Sequence, residues 1–134
     1  MRIFSRTATS AALALLVAGA LYASPSLAAG GEAPSAAQCK SKPSDPVTAG
    51  GCIVISKKLG NCMACHAIAG TSEDGNLGPP LKNVKSLMGS QQALFQQIWD
   101  PEKNNPQTAM PPFGKNRILT KKQIHQVVDF LWTL

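Results

Sequence analysis

Several features that would indicate a common class of protein are missing from this chain. It has no block of arginines and lysines of the kind nucleic-acid-binding segments carry, although 13 basic residues outnumber 7 acidic ones. Its longest apolar run, residues 11–23, is shorter than the roughly 18 residues that a bilayer span needs. No stretch alternates apolar and polar residues, and no internal repeat is present. A nucleic-acid binder, a membrane span and a β-rich domain are all disfavoured.

The amino-terminal segment has the layout of a secretory signal peptide. Arg2 and Arg6 form a positive region, residues 11–23 form an apolar region, and residues 26–28 supply small side chains for cleavage. Cleavage after Ala28 would leave 106 residues, of which 11 are basic and 7 acidic, with a net charge of +4. We therefore expect a mildly basic single domain exported to an oxidising compartment, the periplasm.

The first half of the remaining chain predicts an arm followed by a helix. Residues 29–46 are rich in small and polar residues without apolar periodicity, which predicts an extended arm. A helix is expected to begin at Asp45-Pro46, an N-cap followed by proline, and to end at Gly60. A pair of glycines within that helix would allow another helix to cross it closely.

Two later segments are predicted to be amphipathic helices. The first is capped by Ser90 and ends before Pro101, and the second begins with a capping box of Thr120 and Gln123 and extends to Leu134. Their apolar positions recur at helical spacing: Leu94, Phe95 and Ile98 in the first, and Ile124, Val127, Val128 and Leu131 in the second.

These patterns together predict an all-α domain over residues 47–134, with three to five short helices and long loops. A domain with so much loop cannot build a large core from side chains alone, and long ordered loops usually have a functional reason. A large apolar cofactor at the centre of the domain would supply that reason.

The pentapeptide from Cys62 to His66, "CMACH", contains two of the four cysteines and one of the two histidines. C-x-x-C-H is the attachment signature of c-type haem. Cys62 and Cys65 would add to the two vinyl groups of one porphyrin, and His66 would bind the iron as proximal ligand. Attachment would also remove both thiols from disulfide chemistry in an oxidising compartment.

Two other chemistries use closely spaced cysteines, and both fit less well. A thioredoxin-like C-x-x-C is normally found beside a βαβ pattern, which is absent here. A structural zinc site needs four ligands, often in two close pairs, whereas Cys39 and Cys52 lie 13 residues apart. Covalently attached haem c is therefore the predicted cofactor.

The distal iron ligand has several candidates. Met63 is too close to His66 to reach the opposite face of a haem, and Met88 could be core filler. Met110 lies in the proline-rich segment "AMPPFG", which would hold its thioether rigidly. Met110 is the preferred distal ligand, and His125, expected at the surface or rim of its helix, is the main competitor.

The proximal histidine needs a hydrogen-bond acceptor for its second ring nitrogen. The segment "GPPL" offers the Pro79 carbonyl for this role, with the Pro80 carbonyl as the alternative. For this reason Pro79 is predicted to orient His66.

The two remaining cysteines are expected to pair. In an exported chain with an even number of cysteines, Cys39 and Cys52 would form a disulfide that ties the arm to the first predicted helix. The alternative is that one of them is free or bridges to another chain.

Three segments, "GNCMACHAIAG", "GNLGPPL" and "MPPFGKNRILTKKQIHQVVDFL", resemble class I c-type cytochromes. Within that class, "MPPFGKNRILT" followed by the "VVDFL" helix is similar to the SoxX family, the monohaem subunits of SoxAX sulfur-oxidation complexes. The resemblance covers about residues 47–131.

The resemblance implies a periplasmic subunit that forms a heterodimer with a SoxA-like cytochrome. Such complexes join thiosulfate oxidatively to a cysteine of the SoxYZ carrier, and the electrons pass through the SoxX haem to a downstream acceptor. Carried over, Cys62 and Cys65 attach the haem, and His66 and Met110 bind its iron. No catalytic residue is expected in this chain, because the haem that handles thiosulfate belongs to the partner. A free-standing electron carrier that donates to a terminal oxidase is the alternative.

Overall fold

A computed structural model describes residues 31–73 and 75–134, and the predicted signal peptide, residues 1–28, lies outside this range. The described residues form helices and loops without a β-strand, in agreement with the all-α prediction. None of the helices in these two ranges is long and apolar enough to cross a membrane. The helices are α1 (Ala36–Lys40), α2 (Pro46–Ile55), α3 (Val84–Met88), α4 (Gln91–Trp99) and α5 (Lys121–Leu131), with 3-10 turns at Cys62–Ala64 and Pro101–Lys103.

Side-chain caps determine where the three longer helices begin. The Asp45 carboxylate accepts the backbone N–H of Thr48 at 2.8 Å, which satisfies one free donor of α2. The Ser90 hydroxyl caps α4 in the same way. At α5, Thr120 and Gln123 each accept the other's backbone N–H, at 3.2 and 2.9 Å, so the predicted capping box is present.

The centre of the fold is the crossing of α2 and α5. Gly50 of α2 lies against the backbone of Gln126 in α5, and a Cβ at this position would overlap the Gln126 carbonyl. The close approach predicted from the glycine pair is therefore observed. Around the crossing, Val54 and Ile124 are completely buried, and they belong to one apolar core with Val127, Phe130, Leu131, Leu94, Phe95 and Ile98.

The long loop of residues 104–120 is fixed to the end of α4 by backbone hydrogen bonds. The N–H of Phe113 donates to the carbonyl of Ile98 at 3.2 Å, and the N–H of Gly114 donates to that of Trp99 at 3.2 Å. The Phe113 side chain is buried in the core. The loop is thus an ordered part of the domain.

The predicted end of the first long helix, α2, is wrong. The helix ends at Ile55 instead of Gly60, because Ser56 takes an extended conformation and the chain reverses direction there. The Ser56 carbonyl accepts the N–H of Asn61 at 3.0 Å, and the N–H of Gly60 donates to the carbonyl of Ile53 at 3.1 Å. These bonds replace the last expected turn of the helix and bring the cysteine motif back towards α2.

The arm of residues 29–46 is not extended throughout. Ser35 and Gln38 form a capping box that starts α1, a signal that is present in the sequence as S-x-x-Q. Cys39 in α1 and Cys52 in α2 form a disulfide, with their Cα atoms 5.4 Å apart. This short helix therefore lies beside α2.

Two further differences concern short segments. Helix α3 is a short helix that the sequence patterns did not predict, and it is bounded by Asn83 and Gly89, which both have positive φ. Helix α5 ends at Leu131 instead of Leu134, and the last residues continue as a turn in which the Leu134 N–H donates to the Leu131 carbonyl. The Leu134 carbonyl then accepts the N–H of Asn83 at 2.7 Å, which joins α3 to the end of the chain.

Candidate cofactor site

The cysteine motif forms a single tight turn. Asn61 has a left-handed conformation, with φ of 48°, and starts the 3-10 turn Cys62–Ala64. The Cys62 carbonyl accepts the N–H groups of Cys65 at 3.1 Å and His66 at 2.9 Å. These hydrogen bonds place both thiols and the imidazole on one turn. The two thiols are not joined to each other.

The thiol of Cys62 is poorly suited to thiol redox chemistry. Burial raises the pKa of the Cys62 thiol to about 11, and the neighbouring Cys65 adds to the increase. Reactive cysteines require a lowered pKa, because the thiolate is the nucleophile. The environment of Cys62 therefore disfavours a thioredoxin-like function.

The loop that follows the motif orients the His66 ring. The imidazole Nδ1 lies 2.7 Å from the carbonyl oxygen of Pro79, which can only accept, so Nδ1 is the protonated nitrogen. In the neutral ring, the second nitrogen, Nε2, then carries the lone pair that a metal ion can bind. The Gly78 N–H donates to the Cys65 carbonyl at 2.8 Å and holds this loop against the motif.

Gly78 also contacts the imidazole directly. A Cβ at position 78 would lie 2.7 Å from Nδ1 and 2.9 Å from Nε2 of His66, closer than side chains normally approach. The absence of a side chain at this residue creates the space that the ring occupies. The Pro79 carbonyl predicted from "GPPL" therefore lies at the imidazole, and the glycine before it allows the close approach.

Met110 lies half-buried in the loop of residues 104–120 and packs against the apolar core. Its backbone N–H donates to the hydroxyl of Thr108 at 3.1 Å. Its Sδ lies 3.9 Å from Nε2 of Gln97, and the Gln97 carbonyl oxygen accepts from Asn104 at 2.7 Å. The predictions did not include Gln97 or Asn104, because neither belongs to a local motif.

The competing ligand candidates lie in different environments. His125 is exposed on α5 and stacks on Phe95, with ring centroids 4.6 Å apart. Met63 and Met88 are partly buried against the core. His125 therefore lies at the surface, as expected.

The sequence matches the model of the cytochrome c family over residues 55–134. This chain belongs to the cytochrome c family. It is also 32% identical over 79 residues to an uncharacterized lipoprotein of Aquifex aeolicus (strain VF5), an alignment that covers 55% of this chain and 36% of the relative. The chain thus spans only about a third of that protein's length.

Membership of this family gives the domain a class I cytochrome fold and a covalently attached haem c, and hence a role in electron transfer. The side chains present fit such a group. They supply two unpaired thiols, an imidazole whose Nε2 is available to iron, and a soft thioether in an ordered loop. The space that a side chain at position 78 would fill is left open for the imidazole.

Proposed function

We propose that Cys62 and Cys65 attach the haem, that His66 is its proximal ligand, and that Met110 is its distal ligand. The observation that carries this assignment is the hydrogen bond between His66 Nδ1 and the Pro79 carbonyl, because it fixes the ring and leaves Nε2 as the nitrogen that would hold iron. We also propose that cleavage after Ala28 delivers this domain, residues 47–134 with its amino-terminal arm, to the periplasm.

The haem supplies a one-electron couple between ferric and ferrous iron. With His66 and Met110 both bound, the iron would have no site left for a substrate, so we assign this chain no catalytic residue. The thioether of Met110 favours the ferrous state, which suits an electron acceptor. We further propose that the disulfide between Cys39 and Cys52 forms in the exported protein, where it would stabilise the fold by about 3 kcal/mol.

At a finer level, we propose that the chain is the SoxX-like subunit of a SoxAX-type L-cysteine S-thiosulfotransferase complex. In that reaction a carrier cysteine thiol and thiosulfate form a sulfur–sulfur bond and release one proton and two electrons. This chain would take up the electrons singly from a SoxA-like partner and pass them to a downstream acceptor. The support is the similarity of "MPPFGKNRILT" and the following "VVDFL" helix to SoxX proteins.

The ligand assignment is tested by replacing Met110. Met110→Ala is expected to abolish the weak far-red absorption band that a methionine sulfur on ferric haem produces, while covalent haem is retained. Met88→Ala is the matched control, because Met88 is also partly buried against the core. Absence of the band from the unmodified protein, with a six-coordinate haem spectrum that changes in His125→Ala but not in Met110→Ala, would assign the distal position to His125.

The proposed partnership is tested by isolating the tagged full chain from the periplasm of its native host. A SoxX-like subunit is expected to co-purify in a one-to-one complex with a second, larger c-type cytochrome. Elution as a monomeric cytochrome from freshly lysed cells would contradict the SoxAX assignment and favour a free-standing electron carrier. Covalent haem in the monomer would still support attachment at Cys62 and Cys65.

A further inference from the structure

The side chain of Gln97 connects α4 to the sulfur of Met110. Gln97 is half-buried, and its Nε2 lies 3.9 Å from Met110 Sδ, within hydrogen-bonding range for the large sulfur atom. A thioether sulfur is a weak acceptor with two lone pairs. If one lone pair binds iron, the second remains available to accept the amide N–H.

A second residue determines which end of the Gln97 amide faces the sulfur. The side-chain amide nitrogen of Asn104, which can only donate, lies 2.7 Å from Gln97 Oε1. The Gln97 oxygen is therefore engaged on the side of Asn104, and its NH₂ group is left for Met110. Asn104 thus donates to Gln97, and Gln97 in turn donates to the Met110 sulfur.

We propose that Gln97 is a positioning residue that holds the Met110 thioether and shifts the redox equilibrium of the protein towards the ferrous state. This inference rests on the proposed function, in which Met110 is the distal ligand. The positive end of the N–H dipole withdraws electron density from the sulfur and disfavours the additional positive charge of ferric iron. Removal of this donor should therefore favour the ferric state.

The test compares Gln97→Leu with Gln96→Leu in the haem-loaded full chain. Gln96 is the neighbouring residue on α4, and its side chain is exposed. At the ambient potential where half of the unmodified protein is ferrous, Gln97→Leu is expected to lower the ratio of ferrous to ferric protein about threefold, the effect of part of one hydrogen bond. Gln96→Leu should leave the ratio unchanged.

A second variant leaves Gln97 in place. Asn104→Ala removes the group that orients the Gln97 amide, so we expect a smaller decrease of the ratio in the same direction. If Gln97→Leu does not accumulate as folded protein, Asn104→Ala decides the question. A ratio equal to that of Gln96→Leu in the variants that fold would overturn the inference.

The far-red methionine band separates failure of this inference from failure of the ligand assignment. Loss of the band in Met110→Ala, together with an unchanged ratio in Gln97→Leu, overturns only the role of Gln97. Persistence of the band in Met110→Ala overturns the ligand assignment, and the role of Gln97 with it. A lower ratio in Gln97→Leu with the band retained supports both.

Discussion

Gly78 is the residue at which a single methyl group should matter most to the cofactor. It lies against the imidazole of His66 and precedes Pro79, whose carbonyl accepts from the ring. A side chain at this position would force the ring and the carbonyl apart. The orientation of His66 therefore depends on a residue that forms no bond to it.

Gly78→Ala is expected to lower the yield of protein with covalently attached, six-coordinate haem several-fold, because the added Cβ displaces His66 from its acceptor. The measurement is the ratio of haem absorbance to protein in the purified periplasmic fraction. Asn76→Ala, at an exposed residue of the same loop, is the control. A wild-type haem yield and spectrum for Gly78→Ala would show that the loop adapts.

The proximal part of the candidate site could be predicted from sequence because its residues are local. Cys62, Cys65 and His66 lie on one turn, and the "GPPL" segment that contacts the ring follows within 15 residues. Gln97 and Asn104 could not be predicted in the same way. Their relation to Met110 depends on how the loop of residues 104–120 folds back on α4, which no short motif encodes.

At the scale of elements, the crossing of α2 and α5 has the tightest backbone contact described above. Replacement of glycine by alanine inside a helix normally stabilises it by up to about 1 kcal/mol. At Gly50 we expect the opposite sign, because the new methyl group would meet the Gln126 carbonyl, which is part of the α5 backbone.

Gly50→Ala is therefore expected to reduce the free energy of unfolding by about 2 kcal/mol, as overpacking in a core does. Gly51→Ala is the comparison, because its Cβ would meet side chains, the Pro34 ring in the arm and the edge of the Phe130 ring, instead of a helix backbone. Urea unfolding of the two haem-loaded variants gives the difference. A free energy of unfolding for Gly50→Ala equal to that of the unmodified protein would show that the helices separate without cost.

An ion-pair group at the end of α4 also stabilises the loop that carries Met110. Lys115 lies 3.6 Å from Asp100 and is hydrogen-bonded to Glu102. Asp100 is largely buried, and its Oδ1 atom has no hydrogen-bond partner among the described residues, so the ammonium group of Lys115 is its main compensation. The loop is thus linked to α4 by charge as well as by backbone hydrogen bonds.

This arrangement predicts a pH dependence. The hydrogen bond to Glu102, followed by the charge of Asp100, raises the pKa of Lys115 above its ordinary value of 10.5. A raised pKa in the folded state means that the stabilisation is complete below about pH 10 and is lost as the pH rises through the folded-state value. Stability should therefore decline on the alkaline side.

We expect Lys115→Met to have a lower melting temperature than the unmodified protein at pH 7 to 9, and the difference to disappear at higher pH. Lys103→Met is the control, since Lys103 makes no ion pair among the residues that the structure describes. A difference that stays constant through pH 12 would mean that Lys115 contributes through packing of its side chain instead of its charge.

The longer helices were predicted from the sequence, and the short ones were not. Helices α4 and α5 have both a cap and an apolar stripe, and their starts at Gln91 and Lys121 follow the predicted caps. Helices α1 and α3 have five residues each, too few for a periodic pattern to develop. The end of α2 depends on the reversal at Ser56, a tertiary feature that brings the cysteine motif back to the helix.

At the scale of the whole molecule, a small helical domain is combined with a large cofactor. The described residues form one modest apolar core, and the segments that hold the proposed ligands are loops. Membership of the cytochrome c family explains the small size of this core, because an attached haem would supply apolar contacts that side chains would otherwise make. The function of such a domain then depends on which proteins exchange electrons with it.

The most direct measurement of that function is the anaerobic reduction of this chain's haem by thiosulfate. The reduction is monitored by the absorbance of the haem. The complex isolated from the native periplasm would be mixed with thiosulfate and the carrier protein, and then with each of them omitted in turn. The SoxX-like assignment predicts reduction only when thiosulfate, the carrier and the partner cytochrome are all present. Reduction by general electron donors alone, with no response to thiosulfate in any mixture, would contradict it.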